Sequence, residues 1–161
     1  MKDERAVSLP IYSEKQYFPK WLLLIIAVAG LLPFIIVSAV HTFPVSLIMT
    51  SLIPTVLIFA LFLSCNLRTE VFSDGIRYRF FPFHLHRHFI PNNEIEKIYV
   101  RKYSPLRDYG GWGIRWGRES KAYNTRGTMG IQLELKNGKK ILFGTQKPEE
   151  WEKIIKEMFA E

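Results

Sequence analysis

Residues 21–40 read WLLLIIAVAGLLPFIIVSAV, and residues 45–65 read VSLIMTSLIPTVLIFALFLSC, with no charged side chain in either stretch. Each stretch is close to the ~20 residues that an α-helix needs to cross the hydrocarbon core of a bilayer. Because only residues 41–44 separate them, the two helices would run antiparallel, with both ends of the chain on the same side. The sequence therefore predicts a two-helix transmembrane hairpin.

The basic residues around the two stretches predict their orientation. Lys15 and Lys20 precede the first stretch, while Arg68, Arg77 and Arg79 follow the second, and the four residues between the stretches carry no Lys or Arg. Membrane proteins concentrate such residues on the cytoplasmic side. We therefore expect a multi-pass protein of the inner or plasma membrane with both termini in the cytoplasm and the lipid bilayer as a partner.

The charge distribution predicts three segments, which are a cytoplasmic N-terminal segment 1–20, the hairpin 21–65 and a cytoplasmic domain 66–161. The last of these carries 18 of the 22 Lys and Arg residues and is large enough to bury a core of its own. The isoelectric point near 9.6 follows from this topology, and no recognition motif accompanies it, so no nucleic-acid partner is expected. Cys65 is the only cysteine, which excludes an internal disulfide.

Residues 66–161 alternate between apolar and polar side chains in several short runs, which predicts antiparallel strands. Asn137 and Gly138 lie between two such runs and predict a type I′ turn. Pro148 suits the first position of a C-terminal helix, whose apolar stripe has helical spacing. Six or seven strands followed by one helix predict a pleckstrin-homology-like antiparallel barrel, closed by a helix with this stripe: Trp151, Ile154, Ile155, Met158 and Phe159.

Four short motifs carry a resemblance to a known family. They are YGGWGIR at 109–115, EKQYF at 14–18, AYN at 122–124 followed by Gly127, and GTQ at 144–146. With them the chain resembles an uncharacterised branch of the bacterial membrane proteins that have two spans followed by a pleckstrin-homology-like domain. The resemblance implies this fold and topology, and it brings no catalytic residue, substrate or cofactor.

The glycine-rich part of this motif is the candidate binding site. Three glycines within residues 110–113 predict a backbone with positive φ or a close approach by a neighbour. One interpretation is a loop that binds a partner or a head group, to which Lys121 and Arg126 would add charge. The other is a structural turn. The candidate binding residues are Tyr109, Gly110, Gly111, Trp112, Gly113, Arg115, Trp116 and Arg118.

Two further sets of residues are candidates for binding. His84, His86 and His88 alternate along the chain, so that on a strand they would share one face, as a weak candidate for a metal site or as a polar face that gains charge near pH 6. A juxtamembrane basic face would attract anionic lipid or serve only the orientation of the hairpin. Its members are Arg68, Arg77, Arg79 and Arg87.

No nucleophile stands in a recognisable catalytic context, so catalysis is not expected, nor is any cofactor. The sequence predicts a non-catalytic, membrane-anchored docking or assembly module that binds a protein partner, a second copy of itself or anionic phospholipid. Two alternatives remain open, which are a metal or pH sensor that uses the three histidines, and a membrane-surface enzyme of unknown substrate.

Overall fold

The computed structural model describes residues 9–40, 45–118 and 120–159, and describes no side chains at 33, 34, 37–40, 45–48, 50 and 51. The predicted connection 41–44 lies outside the described residues. The chain divides into two compact units. One unit contains residues 17–65, and the other combines residues 1–16 with residues 66–161.

The first unit contains two helices, α1 (Lys20–Val40) and α2 (Val45–Ser64). They pack closely where a Cβ at Gly30 would overlap the side chain of Thr55, and the rings of Phe18 and Phe62 meet at 5.2 Å between centroids. Glycine at this position therefore permits the close packing of the two helices. Large apolar side chains on both helices, such as Leu24 and Leu57, are exposed.

The prediction of a transmembrane hairpin is contradicted. Within the described part of the chain, no helix combines the length and the apolar character that a membrane span requires. This finding also contradicts the predicted multi-pass location in an inner or plasma membrane.

The second unit contains two β-sheets. The first sheet has the strand order β1-β2-β3-β4, in which β2 pairs antiparallel with β3 and β3 pairs antiparallel with β4. Leu67, Ile76 and Phe80 contribute fully buried side chains from this sheet. Its strands are β1 (Tyr12–Tyr17), β2 (Asn66–Phe72), β3 (Gly75–Phe81) and β4 (His88–Pro91).

The second sheet has the strand order β5-β8-β9-β7-β6. All its pairings are antiparallel except that of β7 with β9, which is parallel. Leu133, Leu142 and Phe143 are fully buried in it, and the ring of Tyr78 in β3 lies 4.7 Å from that of Phe143. The strands are β5 (Ile95–Lys102), β6 (Gly113–Trp116), β7 (Lys121–Asn124), β8 (Met129–Leu135) and β9 (Lys140–Thr145).

The predicted barrel of six or seven strands is therefore wrong. The described residues form nine strands in two separate sheets, because the N-terminal strand β1 joins the first sheet and the segment after β5 adds β6. That segment also contains helix α3 (Pro105–Tyr109). The turn at Asn137 and Gly138 is also not of type I′, since only Gly138 has a positive φ and type I′ requires two.

The predicted C-terminal helix is confirmed as α4 (Pro148–Phe159), which packs against β5 and β8. Glu149 and Glu150 lie in its first turn, where negative charge is favourable beside the free N–H groups. Trp151 is fully buried, and its ring meets that of Tyr12 edge-on at 5.2 Å. The helix thus packs against the N-terminal strand as well as the second sheet.

A buried carboxylate joins β1 to β9 and α4. Glu14 is only 4% exposed, and its two oxygens accept hydrogen bonds from Trp151 Nε1 at 2.9 Å, Thr145 Oγ1 at 2.8 Å and the Gln146 amide at 2.8 Å. Two residues further along β1, Gln16 Nε2 donates to the Gly144 carbonyl at 2.6 Å. These bonds satisfy a group whose burial would otherwise be costly.

We predict that Glu14→Gln lowers the free energy of unfolding by about 1–3 kcal/mol, because an amide nitrogen would then face buried donors. Chemical denaturation followed by tryptophan fluorescence measures the change. Glu152→Gln is the matched control, since Glu152 is exposed on α4. Equal stability of both variants and the wild type would contradict the role given to this carboxylate.

Candidate functional site

The glycines of the 109–118 segment provide backbone conformations that other residues rarely adopt. Gly110 ends α3 with a φ of 69°, and its amide donates to the Leu106 carbonyl at 2.9 Å. Gly111 and Gly113 have φ values of 131° and 113°. Since a Cβ at Gly110 or Gly113 would meet nothing within 4 Å, these glycines serve the path of the backbone rather than a close approach.

Several residues of the predicted site are bonded within the fold. Tyr109 is buried, and its hydroxyl shares a hydrogen bond with Ser120 Oγ. Arg115 donates from Nε to the Trp112 carbonyl at 3.0 Å, and Trp112 itself is half-buried. The Tyr109 hydroxyl, which also accepts from Arg101 of β5, links the segment to the second sheet, whereas Arg115, Trp116 and Arg118 are exposed.

Trp116 is the most exposed of the candidate aromatic residues, at 77%. It ends β6, the outermost strand of the second sheet, and faces Lys121 across the hairpin with β7. Lys121 Nζ lies 4.5 Å from the centre of the Trp116 ring and 5.0 Å from that of Tyr123, distances at which a cation is attracted to aromatic faces. The lysine thus links an exposed ring to a buried one.

The side chains around this pair form an open hollow of about 490 Å³, which we call the Trp116 surface. Basic side chains line it and, among the described residues, no carboxylate does. Burial raises the pKa of both Tyr78 and Tyr123 above the ordinary value. The lining combines positive charge with aromatic rings: Tyr78, Trp116, Arg118, Lys121, Tyr123, Lys139 and Lys140.

The sequence identified only part of this surface. Trp116, Arg118 and Lys121 were named from the motif and its flanking charge, but Lys139 and Lys140 follow the turn between β8 and β9. The parallel pairing of β7 with β9, which sets Lys121 opposite Ile141, brings them here. Two adjacent lysines after an Asn-Gly turn can be recognised in the sequence as a basic pair. Their position beside Lys121 cannot, because it depends on the pairing of β7 with β9, which are distant in the chain.

Three arginines of the predicted basic face lie on β2 and β3, and the fourth, Arg87, lies between β3 and β4. Arg68 faces Arg79 across the strands. Arg68 also forms an ion pair of 2.8 Å with the buried Glu70, and Arg87 lies 3.8 Å from the same carboxylate. Arg77 stacks over the Phe72 ring at 4.3 Å, and Arg79 lies 5.4 Å from the centre of the Phe81 ring. Each of the four arginines thus has a partner within the fold.

The three histidines do not share a strand face, so that prediction is wrong. β4 begins only at His88, and the His84 amide donates to the Phe80 carbonyl in a turn. The rings of His84 and His88 meet at 4.4 Å between centroids, whereas His86 is exposed. In the part of the chain that the structure describes, no three metal-binding side chains come together.

A pH prediction follows from His84. Burial, with smaller effects of His88 and Lys121, lowers its pKa, so the unfolded chain binds the proton more readily than the folded one. The contribution of His84 to stability is therefore complete above the unfolded pKa of ~6.5 and is lost as the pH falls below it. We expect the fall in unfolding free energy between pH 7 and pH 5.5 to be smaller in His84→Gln than in the wild type, with His86→Gln as the control. An identical fall in all three proteins would refute this assignment.

The comparisons with known proteins found no match. No family model, no curated protein and no solved structure matches this chain. The resemblance to two-span membrane proteins with a pleckstrin-homology-like domain therefore stays a prediction. The geometry of the candidate site is that of a basic and aromatic hollow beside β6, the outermost strand of the second sheet among the described residues.

Proposed function

We propose that this chain is a non-catalytic docking module, which binds an extended, acidic segment of a protein partner at the Trp116 surface. The observation that carries the proposal is the exposure of Trp116 at the end of the edge strand β6, amid basic side chains. An exposed tryptophan is a frequent anchor of protein interfaces. Basic side chains around it favour an acidic partner.

The strand β6 provides the backbone for such docking. It pairs with β7 on one side only among the described residues, so the N–H and C=O groups on its other side are available to an extended peptide. A segment paired there would run past Trp116, whose ring lies 4.5 Å from Lys121 Nζ of β7. This arrangement favours a protein segment over a lipid head group as the ligand, because a head group has no peptide backbone that could pair with β6.

The chemistry of the surface supports a binding role rather than catalysis. The hydroxyl of Ser120 is already bonded with that of Tyr109. Tyr78 and Tyr123 are neutral at physiological pH, as tyrosine ordinarily is, and burial raises the pKa of each further. Hence the described residues of the Trp116 surface offer no nucleophile beside a base, which acyl or phosphoryl transfer would need.

We predict that a photoreactive amino acid at position 116 cross-links one defined protein in cells, and that Trp116→Ala weakens the binding of that protein by about 2 kcal/mol or more. Position 9 is the control for cross-linking and Leu9→Ala for binding, since Leu9 is 84% exposed and precedes β1. Reversing the charge with Lys121→Glu should weaken binding further and make it less sensitive to salt.

The thermal stability of Trp116→Ala should match that of the wild type, because the side chain is exposed. The same adducts at positions 9 and 116, or full binding by Trp116→Ala, would overturn the proposal. The proposal would also be overturned if no protein were cross-linked at position 116 and the chain instead bound anionic vesicles in a way that Trp116→Ala abolished.

A further inference from the structure

We infer that a second, polar cleft on the five-stranded sheet binds a small organic dianion. The cleft has a volume of about 590 Å³, within the range of small-molecule sites. It shares Arg118, Ser120 and Lys140 with the Trp116 surface, but its lining also includes Arg101 of β5 and Gln132 of β8. The inference does not depend on the docking function.

Arg101 is held in place by two neutral acceptors. Its Nε donates to Gln132 Oε1 at 3.0 Å, and its Nη2 donates to the Tyr109 hydroxyl at 3.1 Å. Tyr109 is in turn bonded with Ser120, so the guanidinium is fixed through a chain of hydrogen bonds. A guanidinium has five N–H donors, and the Nη1 end of the fork takes no part in these bonds.

The charges of the cleft leave a positive surplus. Arg107 lies 3.5 Å from Asp108, and Lys140 lies 3.5 Å from Glu134. No carboxylate among the described residues forms an ion pair with Arg101 or with Arg118. The described lining thus has four basic side chains and two carboxylates, and its net charge is complementary to that of a dianion.

Both carboxylates of the cleft stay ionised at neutral pH. The Ser104 amide, which donates to Asp108 at 2.8 Å, is the main cause that lowers the pKa of Asp108. The Tyr99 hydroxyl, which donates to Glu134 at 3.0 Å, is the main cause that lowers the pKa of Glu134. Each carboxylate therefore already has hydrogen-bond and ion-pair partners within the fold. Arg101 and Arg118 are the basic side chains of the cleft that could bind an external anion.

The ligand chemistry is an oxyanion on a small molecule. Carboxylate and phosphate both fit the parallel N–H donors of a guanidinium, and arginine is favoured over lysine for such paired hydrogen bonds. The volume of the cleft exceeds that of a lone inorganic ion, so we expect a carbon skeleton beside the charged groups. The half-exposed ring of Tyr99 offers this skeleton an apolar contact.

The test is isothermal titration of the full chain at pH 7.5 with two probes, succinate and glycerol 3-phosphate, at constant ionic strength. We expect saturable binding of at least one probe, and the probe that binds more tightly identifies the ligand as a carboxylate or a phosphate. Arg101→Gln should weaken this binding at least tenfold. Lys102→Gln should not, because Lys102 is exposed and points to the opposite face of β5.

Two further variants keep the test decisive. Arg118 is exposed, so Arg118→Gln should fold normally and still bind the probe several-fold more weakly, even if Arg101→Gln is unstable. Trp116→Ala should bind the probe as the wild type does, which separates this site from the docking surface. The inference would be overturned if neither probe showed saturable binding up to about 10 mM. It would also be overturned if Arg118→Gln, or an Arg101→Gln variant that folds, bound the probe as tightly as the wild type does.

Discussion

The hydrogen bonds of the buried Glu14 carboxylate are the contact on which the arrangement of β1, β9 and α4 in the larger unit depends. A carboxylate that is 4% exposed is stable only where donors replace its water, and here the donors come from the end of β9 and from Trp151. The contact therefore fixes three elements together, which are β1, the turn that follows β9 and the start of α4. It also lies beside the Gln16 bond to Gly144, so that two side chains of β1 hold the same end of β9.

The position of β9 in turn decides where the candidate sites form. β9 lies between β8 and β7, so it joins the half of the sheet that carries Arg101 to the half that carries Lys121. The Gly113 amide donates to Asn124 Oδ1 at 2.9 Å, which fixes the start of β6 at the outer edge. The polar cleft and the Trp116 surface are thus neighbouring parts of one sheet, one with a fixed guanidinium and the other with an exposed indole ring.

Local patterns in the sequence predicted local structure well. The hairpin around Asn137 and the helix from Pro148 followed from turn residues and periodicity. The partners of Glu14 did not, because Thr145 lies 131 residues further along the chain and no periodicity connects them. The EKQYF and GTQ motifs belong to this one contact, although the sequence alone shows them as separate pieces.

The candidate site divides in the same way. Trp116 and Arg118 stood out as a local motif, whereas Arg101 looked like an ordinary polar residue of a strand until its contact with Gln132, 31 residues away, was known. The alternation of His84, His86 and His88 misled because the chain turns after Phe80, so that the strand starts only at His88. The apolar stretches predicted two helices, and the structure contains them. They also predicted membrane spans, but no helix among the described residues is long and apolar enough to be one.

The most direct measurement of the central claim is hydrogen exchange of the Trp151 indole N–H, observed by NMR in the full chain. The account predicts that this proton exchanges as slowly as the backbone amides of the β8–β9 pair, because it is fully buried and bonded to Glu14. Rapid exchange of the indole proton, while those backbone amides stay protected, would contradict the account.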